Sequence, residues 1–321
     1  MTELESHSFH GAASGPRLIV LGAVHGNETC GTRAIRSVLE DLARGALQLA
    51  AGQLTLVPVT NPGAYERRQR AVDHNLNRQL NPKAAPKDYE DLIGNQLCPF
   101  LRTHDVLLDL HSFHTPGDPF ALIGPRNNDG QLEPFQHQAA ETQLALHLGP
   151  KRFVEGWMSV YETGVERRKA SGQPSPDHLL STDFGIGTTE YMRSQGGYAV
   201  TYECGQHDEP EAPVRARYAI LQTLKLLGLM KGEPDAPPKR VELMKLVGVV
   251  DRLHEGDELT KEYRSFDRLQ EGDVIGKRAD GSQVLAERDG FIVFPNPGAD
   301  VFAEWFYFAV ESDRTLLRHG P

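Results

Sequence analysis

The sequence predicts an α/β fold: a mostly parallel or mixed central sheet flanked by helices, with a smaller C-terminal all-β domain. Three observations carry this. Short apolar, β-branched runs alternate with segments of helical periodicity through residues 1–230. The stretch Lys231-Gly232-Glu233-Pro234-Asp235-Ala236-Pro237-Pro238 then breaks the composition as a linker does. In residues 239–321, turn signals such as Glu255-Gly256-Asp257, Glu271-Gly272-Asp273, Asp280-Gly281 and Asp289-Gly290 recur at the spacing of short antiparallel strands.

The elements follow in order. Leu18-Ile19-Val20-Leu21 has strand length and breaks at Gly22-Ala23. It delivers His25-Gly26-Asn27-Glu28 and then a helix over Thr29 to Arg44, whose Ala34, Ile35, Val38, Leu39 and Leu42 share one face. Leu54 to Val59 is a second buried strand, stopped by Asn61-Pro62-Gly63. A polar, basic loop runs from Ala64 to Asn81, and Tyr89 to Arg102 is a helix with Pro99 in its last turn. Val106 to Leu110 is a third strand leading into His111-Ser112-Phe113-His114. Leu132 to Leu148 reads as a helix that tolerates Pro134 in its first turn. Trp157 to Gly187 is rich in Gly, Pro and charge and reads as an irregular insertion or mobile cover. Tyr198 to Tyr202 is a fourth strand with Glu203 at its end, and Val214 to Leu229 is a helix.

Composition bounds the function. The chain has 321 residues, enough for one large or two smaller domains. A net charge of −10 argues against a nucleic-acid binder and means that an anionic substrate must meet locally placed Arg or Lys. Three cysteines give no disulfide framework and suit a reducing compartment. The acidic N-terminus lacks the apolar core of a signal peptide, and no apolar run approaches membrane-spanning length. A cytoplasmic protein without a membrane partner is expected, and oligomeric state is not legible.

Three separate strands end in ligand-type or acid/base residues: His25 and Glu28, His111, and Glu203. In open α/β sheets the carboxyl ends of strands form the binding crevice, so these groups can meet there. Two histidines and a glutamate make a catalytic zinc set that leaves a coordination position for water. A carboxylate nearby, outside the metal set, can move a proton from water to a leaving amine, and Glu203 is placed for that. Each residue also has an ordinary reading: a core histidine for His111, a salt bridge for Glu203, a structural carboxylate for Asp109, a solvated face for Arg67 to Arg70. His114 rivals His111, while Asp109 could orient a ligand histidine. His7, His10, His137, His147 and His178 lack companions and read as surface residues.

Taken together, Gly22-Ala23-Val24-His25-Gly26-Asn27-Glu28, Asn61-Pro62, Arg70, Asn77-Arg78, Asp109-Leu110-His111, Glu203 and Phe294-Pro295-Asn296-Pro297 resemble the succinylglutamate desuccinylase/aspartoacylase family, part of the zinc carboxypeptidase-like group. The resemblance implies one zinc ion on His25, Glu28 and His111. It implies Glu203 as general base and later acid, with Arg70 polarising the scissile carbonyl. It implies that Asn77 and Arg78 grip a substrate carboxylate, that Arg193 reads a second acidic group and that Tyr307 is lent to the pocket by the β domain. Asn75 stands where many members carry Asp. The implied activity is hydrolysis of the amide of a small anionic N-acyl amino acid, such as N-succinylglutamate in arginine breakdown or an N-acetylaspartate-like compound. The rivals are a metallocarboxypeptidase acting on a peptide or cell-wall stem, and a non-catalytic binding protein of the same fold.

Overall fold

The computed structural model of the protein describes residues 3–171 and 175–317. In chain order its elements are β1 (His7–His10), β2 (Ala13–Gly22), α1 (Cys30–Ala43), β3 (Ala51–Val57), α2 (Pro62–Arg67), α3 (Tyr89–Arg102), β4 (Val106–Phe113), β5 (Phe120–Leu122), α4 (Gln138–His147), β6 (Arg152–Glu155), α5 (Trp157–Ser171), α6 (Thr188–Ser194), β7 (Tyr198–Gln206) and α7 (Ala212–Leu226). The C-terminal part adds β8 (Glu242–Asp251), β9 (Glu258–Leu259), β10 (Arg268–Leu269), β11 (Val274–Lys277), β12 (Gln283–Leu285), β13 (Gly290–Val293) and β14 (Glu304–Glu311).

One mixed sheet of 11 strands runs in the order β1-β3-β2-β4-β7-β5-β6-β8-β14-β13-β10, and β12-β11-β9 form a separate small sheet. The strands β3, β2, β4 and β7 are mutually parallel. They are buried on both faces, as parallel strands covered by helices must be. Side-chain alternation sorts their residues into two cores. Leu18, Val20, Leu54, Leu56, Leu108 and Leu110 pack with α1 and α7 through Ile35, Val38, Ala216 and Ile220. Ile19, Leu21, Val57 and Leu107 face the other way, onto Ile93, Leu97 and Leu101 of α3 and Met192 of α6.

The large sheet does not stop at the composition break. β8 pairs in parallel with β6 from Arg152↔Glu242 to Glu155↔Lys245, and β14 pairs with β8. The stretch 231–238 is tied to α7: Asp235 N donates to Gln222 Oε1 at 2.7 Å, and the Tyr218 hydroxyl donates to Asp235 Oδ2 at 2.9 Å.

Residues 157–187 differ from the irregular insertion expected. Trp157–Ser171 is a 15-residue helix, followed after the undescribed residues 172–174 by two 3-10 turns, Asp177–Leu180 and Thr182–Gly185. Glycine and proline concentrate beyond residue 171, and the helix contains only Gly164. That glycine faces β8, where an added Cβ would lie 2.8 Å from Val249 Cγ1. Met158, Tyr161 and Val165 form the buried stripe at helical spacing. The helix expected over 132–148 is shorter, starting at Gln138.

Candidate metal centre and active-site cleft

Adjacent parallel strands bring the chemistry together. The turn after β2 carries His25 and Glu28, β4 carries His111, and β7 carries Glu203 in register with His111. Gly26 is required here because α2 crosses the turn: a Cβ at this position would fall 2.1 Å from the Ala64 carbonyl carbon.

The Glu28 carboxylate lies between two imidazoles. His25 Nδ1 is 2.8 Å from Glu28 Oε1, and His111 Nδ1 is 2.8 Å from Glu28 Oε2. The Ser112 amide donates to Oε2 at 3.1 Å and Arg70 Nη1 donates to Oε1 at 3.1 Å. Both rings turn Nδ1 inward and have an oxygen behind Nε2. For His25 it is Asn75 Oδ1 at 2.9 Å. For His111 it is Asp109 Oδ2 at 2.9 Å, a close pair that is not aligned as a hydrogen bond. Thr188 Oγ1 in turn donates to that Asp109 oxygen. Oxygen acceptors behind ligand histidines fix ring orientation and tautomer. Asn75 supplies this acceptor without the charge an aspartate would bring. His114 is not part of the group: it is exposed, its ring 4.6 Å from that of His207.

One ligand atom each from His25, Glu28 and His111 lies within 4.8 Å of the other two. A buried imidazole–carboxylate–imidazole set with oxygen-backed rings fits a divalent ion such as zinc. The groups of this set perturb one another strongly. Burial would raise the Glu28 carboxyl, but His25 and His111 hold it well below the usual range. Burial, then the nearby Arg70, push His25 down to about 4. Burial pushes Glu203 up to about 8, with His111 opposing and Glu28 reinforcing. Glu203 is 6% exposed and its Oε2 has no hydrogen-bond partner among the described residues. Among the described residues it makes no salt bridge, and a buried carboxyl so perturbed can serve as an acid/base.

A cleft of about 2000 Å³ contains these groups and also Asn77, Arg78, Arg193 and Tyr307. Arg78 is buried against aromatic rings, its guanidinium carbon 5.1 Å from the Trp157 ring centre and 5.6 Å from that of Tyr161. Its Nε donates to Glu304 Oε1 at 2.9 Å and its Nη1 to the Asn77 carbonyl at 2.8 Å. The Tyr161 hydroxyl donates to the same Glu304 oxygen at 2.6 Å and lies 2.8 Å from the Tyr307 hydroxyl. Burial would raise the Glu304 carboxyl, but Arg78 holds it down at about 2. Asn77 Oδ1 accepts from the Thr188 amide at 2.8 Å and so clamps the start of α6.

Arg193 sits on the cleft wall among carboxylates: Glu141 at 2.9 Å, Glu133 at 3.0 Å and Glu190 at 3.1 Å. Burial and the neighbouring acids bring Glu133 up to about 7, with Arg193 opposing. Arg67, Arg68 and Arg70 are all exposed, and Arg70 reaches the centre through its bond to Glu28. Glu304, Tyr161 and Trp157 belong to the site but had no local signal. Arg78 and Glu304 are 226 residues apart in sequence, and no spacing rule joins them.

The succinylglutamate desuccinylase/aspartoacylase catalytic domain model matches residues 14–217. The succinylglutamate desuccinylase of Burkholderia mallei is 26% identical over 295 residues, covering 87% of this chain and 75% of that protein. Two solved structures share the fold. The succinylglutamate desuccinylase of Vibrio cholerae has a TM-score of 0.70 at 18% identity, covering 95% of this chain and 85% of that one. The product-bound ectoine utilization protein EutE (DoeB) of Ruegeria pomeroyi has a TM-score of 0.68 at 20% identity, covering 96% and 89%. With the family match spanning well over half its length, the chain belongs to the succinylglutamate desuccinylase/aspartoacylase family.

Proposed function

We propose that this protein is a zinc-dependent hydrolase of the amide bond in a small N-acyl amino acid, releasing a carboxylate and the free amino acid. The observation that carries the reading is the buried Glu203, with an unpartnered oxygen, in register with His111 beside the His25–Glu28–His111 set. Zinc held by those three residues would, when bound, supply Lewis acidity and lower the pKa of water.

The chain's own groups do the rest. Glu203 takes a proton from the attacking water as it adds to the amide carbon, then gives it to the departing amine nitrogen. Arg70 is exposed enough to swing from Glu28 toward the carbonyl oxygen on which charge develops. A guanidinium has five N–H donors. Glu304 takes Nε and Nη2 of Arg78 and the Asn77 carbonyl takes Nη1, which leaves one N–H on each Nη nitrogen for a substrate carboxylate beside Asn77. Tyr307 and Arg193 complete the proposed binding set, the first through a hydroxyl shared with Tyr161, the second from among its three carboxylates.

An N-succinyl or N-acetyl derivative of an acidic amino acid is the proposed substrate, with N-succinylglutamate in arginine breakdown as the specific case. The names of the curated relatives and the arginines of the cleft support it. Phe294, Glu304 and Tyr307 line the cleft from the C-terminal part, and we read that wall as favouring a small substrate over a peptide. Three buried free thiols fit a reducing, cytoplasmic setting.

A panel of N-acyl amino acids with zinc-loaded protein, followed by amine release, tests the reading. Glu203→Gln should lower turnover by about 10²–10⁴-fold with zinc content unchanged. Full activity in that variant on a good substrate would show that another group moves the proton.

A further inference from the structure

The Asn61-Pro62 pair has no part in the chemistry above, yet Asn61 is fully buried. Asn61 Oδ1 accepts from the Ala64 amide at 3.2 Å, and its Nδ2 donates to Glu90 Oε1 at 3.0 Å. Glu90, in the first turn of α3, is 1% exposed. Its Oε1 also accepts from the Val72 amide at 2.7 Å, and its Oε2 from the amides of Asp73 at 2.9 Å and His74 at 3.3 Å. Successive backbone N–H groups thus converge on one carboxylate, as in an anion-binding nest. The ties are reciprocal: Asp73 Oδ2 accepts from the Tyr89 amide at 2.9 Å, and His74 Nδ1 lies 2.9 Å from Asp88 Oδ2.

His74, Asp88 and Glu90 are close enough to share a cation. Both Glu90 oxygens are already taken by N–H donors, so a cation there would have to displace them. The geometry serves a different purpose. The loop so held carries Arg70, which reaches Glu28, and Asn75, which backs His25; Asn77 and Arg78 follow.

We propose that Glu90, braced by Asn61, is a positioning residue that sets the loop from which Arg70, Asn75, Asn77 and Arg78 enter the cleft. The kinetic part rests on the amide hydrolysis proposed above; the structural part does not. In Glu90→Gln one acceptor oxygen becomes an NH₂ group facing N–H donors, so part of the loop loses its anchor. A displacement of about 1 Å at reacting groups costs on the order of a hundredfold.

The test uses the zinc-loaded full chain. Glu90→Gln should lower kcat/KM about a hundredfold, through kcat where it displaces Arg70 and through KM where it displaces Asn77 and Arg78, with zinc content unchanged. In an Arg70→Ala background the same change should cost clearly less than the hundredfold it costs alone, because the part that acts through Arg70 is already gone. Glu90→Asp, which keeps the charge, should recover part of the loss. A full additive loss in the Arg70→Ala background overturns the proposal, since a merely structural role behaves that way. Hydrogen exchange supplies an arm that needs neither turnover nor a variant. The Val72 and Asp73 amides of the wild-type protein should exchange slowly although they lie in a loop, and rapid exchange overturns the proposal. If the wild-type protein hydrolysed no N-acyl amino acid, the functional reading would fail while the exchange arm still decided on the Glu90 anchor.

Discussion

Glu203 joins three properties that are hard to combine by accident: burial, an unpartnered oxygen, and a place in register with His111. Its carboxyl is pushed up to about 8 from 4.5. The folded state therefore binds this proton more tightly than the unfolded chain does. The resulting stabilisation is complete below about 4.5 and is lost as pH rises through about 8. Glu203→Gln stays neutral throughout. In metal-free protein, the urea midpoint of the wild type should fall relative to that of Glu203→Gln across this window. Parallel curves would mean that the wild-type carboxyl is solvated. At this scale the sequence was informative wherever chemistry is local. His25 and Glu28 are three residues apart, and His111 and Glu203 each follow an apolar run. It was silent on Glu304, whose partner Arg78 comes from the other end of the chain, and on Glu90, which looks like any acid in a first helical turn.

Secondary elements were legible in proportion to their length and purity. The helix Tyr89–Arg102 is where its periodicity puts it, with Asp88 capping it through a 3.0 Å bond from the Asp91 amide. The strands β5 and β6, at 3 and 4 residues, are too short to show a period. The helix α5 was hidden by its charges, because one of them, Arg168, lies on the inner face. Its Nε and Nη2 each donate to Asp251 of β8 at 2.7 Å, and its Nη1 to the Leu179 carbonyl at 3.2 Å. The pair fastens α5 to the strand that continues the sheet. Asp251→Asn should cost about 3–5 kcal/mol of unfolding free energy, the usual result of removing one side of a buried ion pair. A urea midpoint within error of the wild type would show that solvent reaches the pair.

For the whole molecule, the composition break at 231–238 is real, but the strand pairing across it is not written in composition. Register depends on which edge a strand meets, and the edge waiting for β8 is β6. The sheet therefore spans both parts of the sequence, and so does the cleft, which takes Glu304 and Tyr307 from β14. This has a direct consequence for truncation. A chain ending at Met230 would leave β6 as an open edge and strip Met244, Leu246, Val249 and Tyr307 from Phe120, Val154 and Tyr161. Arg78 would also lose Glu304 while keeping its aromatic neighbours. Residues 1–230 alone should aggregate, or bind a hydrophobic dye without a cooperative melt, when compared with the full chain by size exclusion and thermal unfolding. A monodisperse, cooperatively melting fragment would show that the first four parallel strands and their helices close a core without the C-terminal strands. The cleft could then be completed by adding residues 239–321 as a separate chain, and the failure of activity to return would locate the defect in the lost β6–β8 ladder.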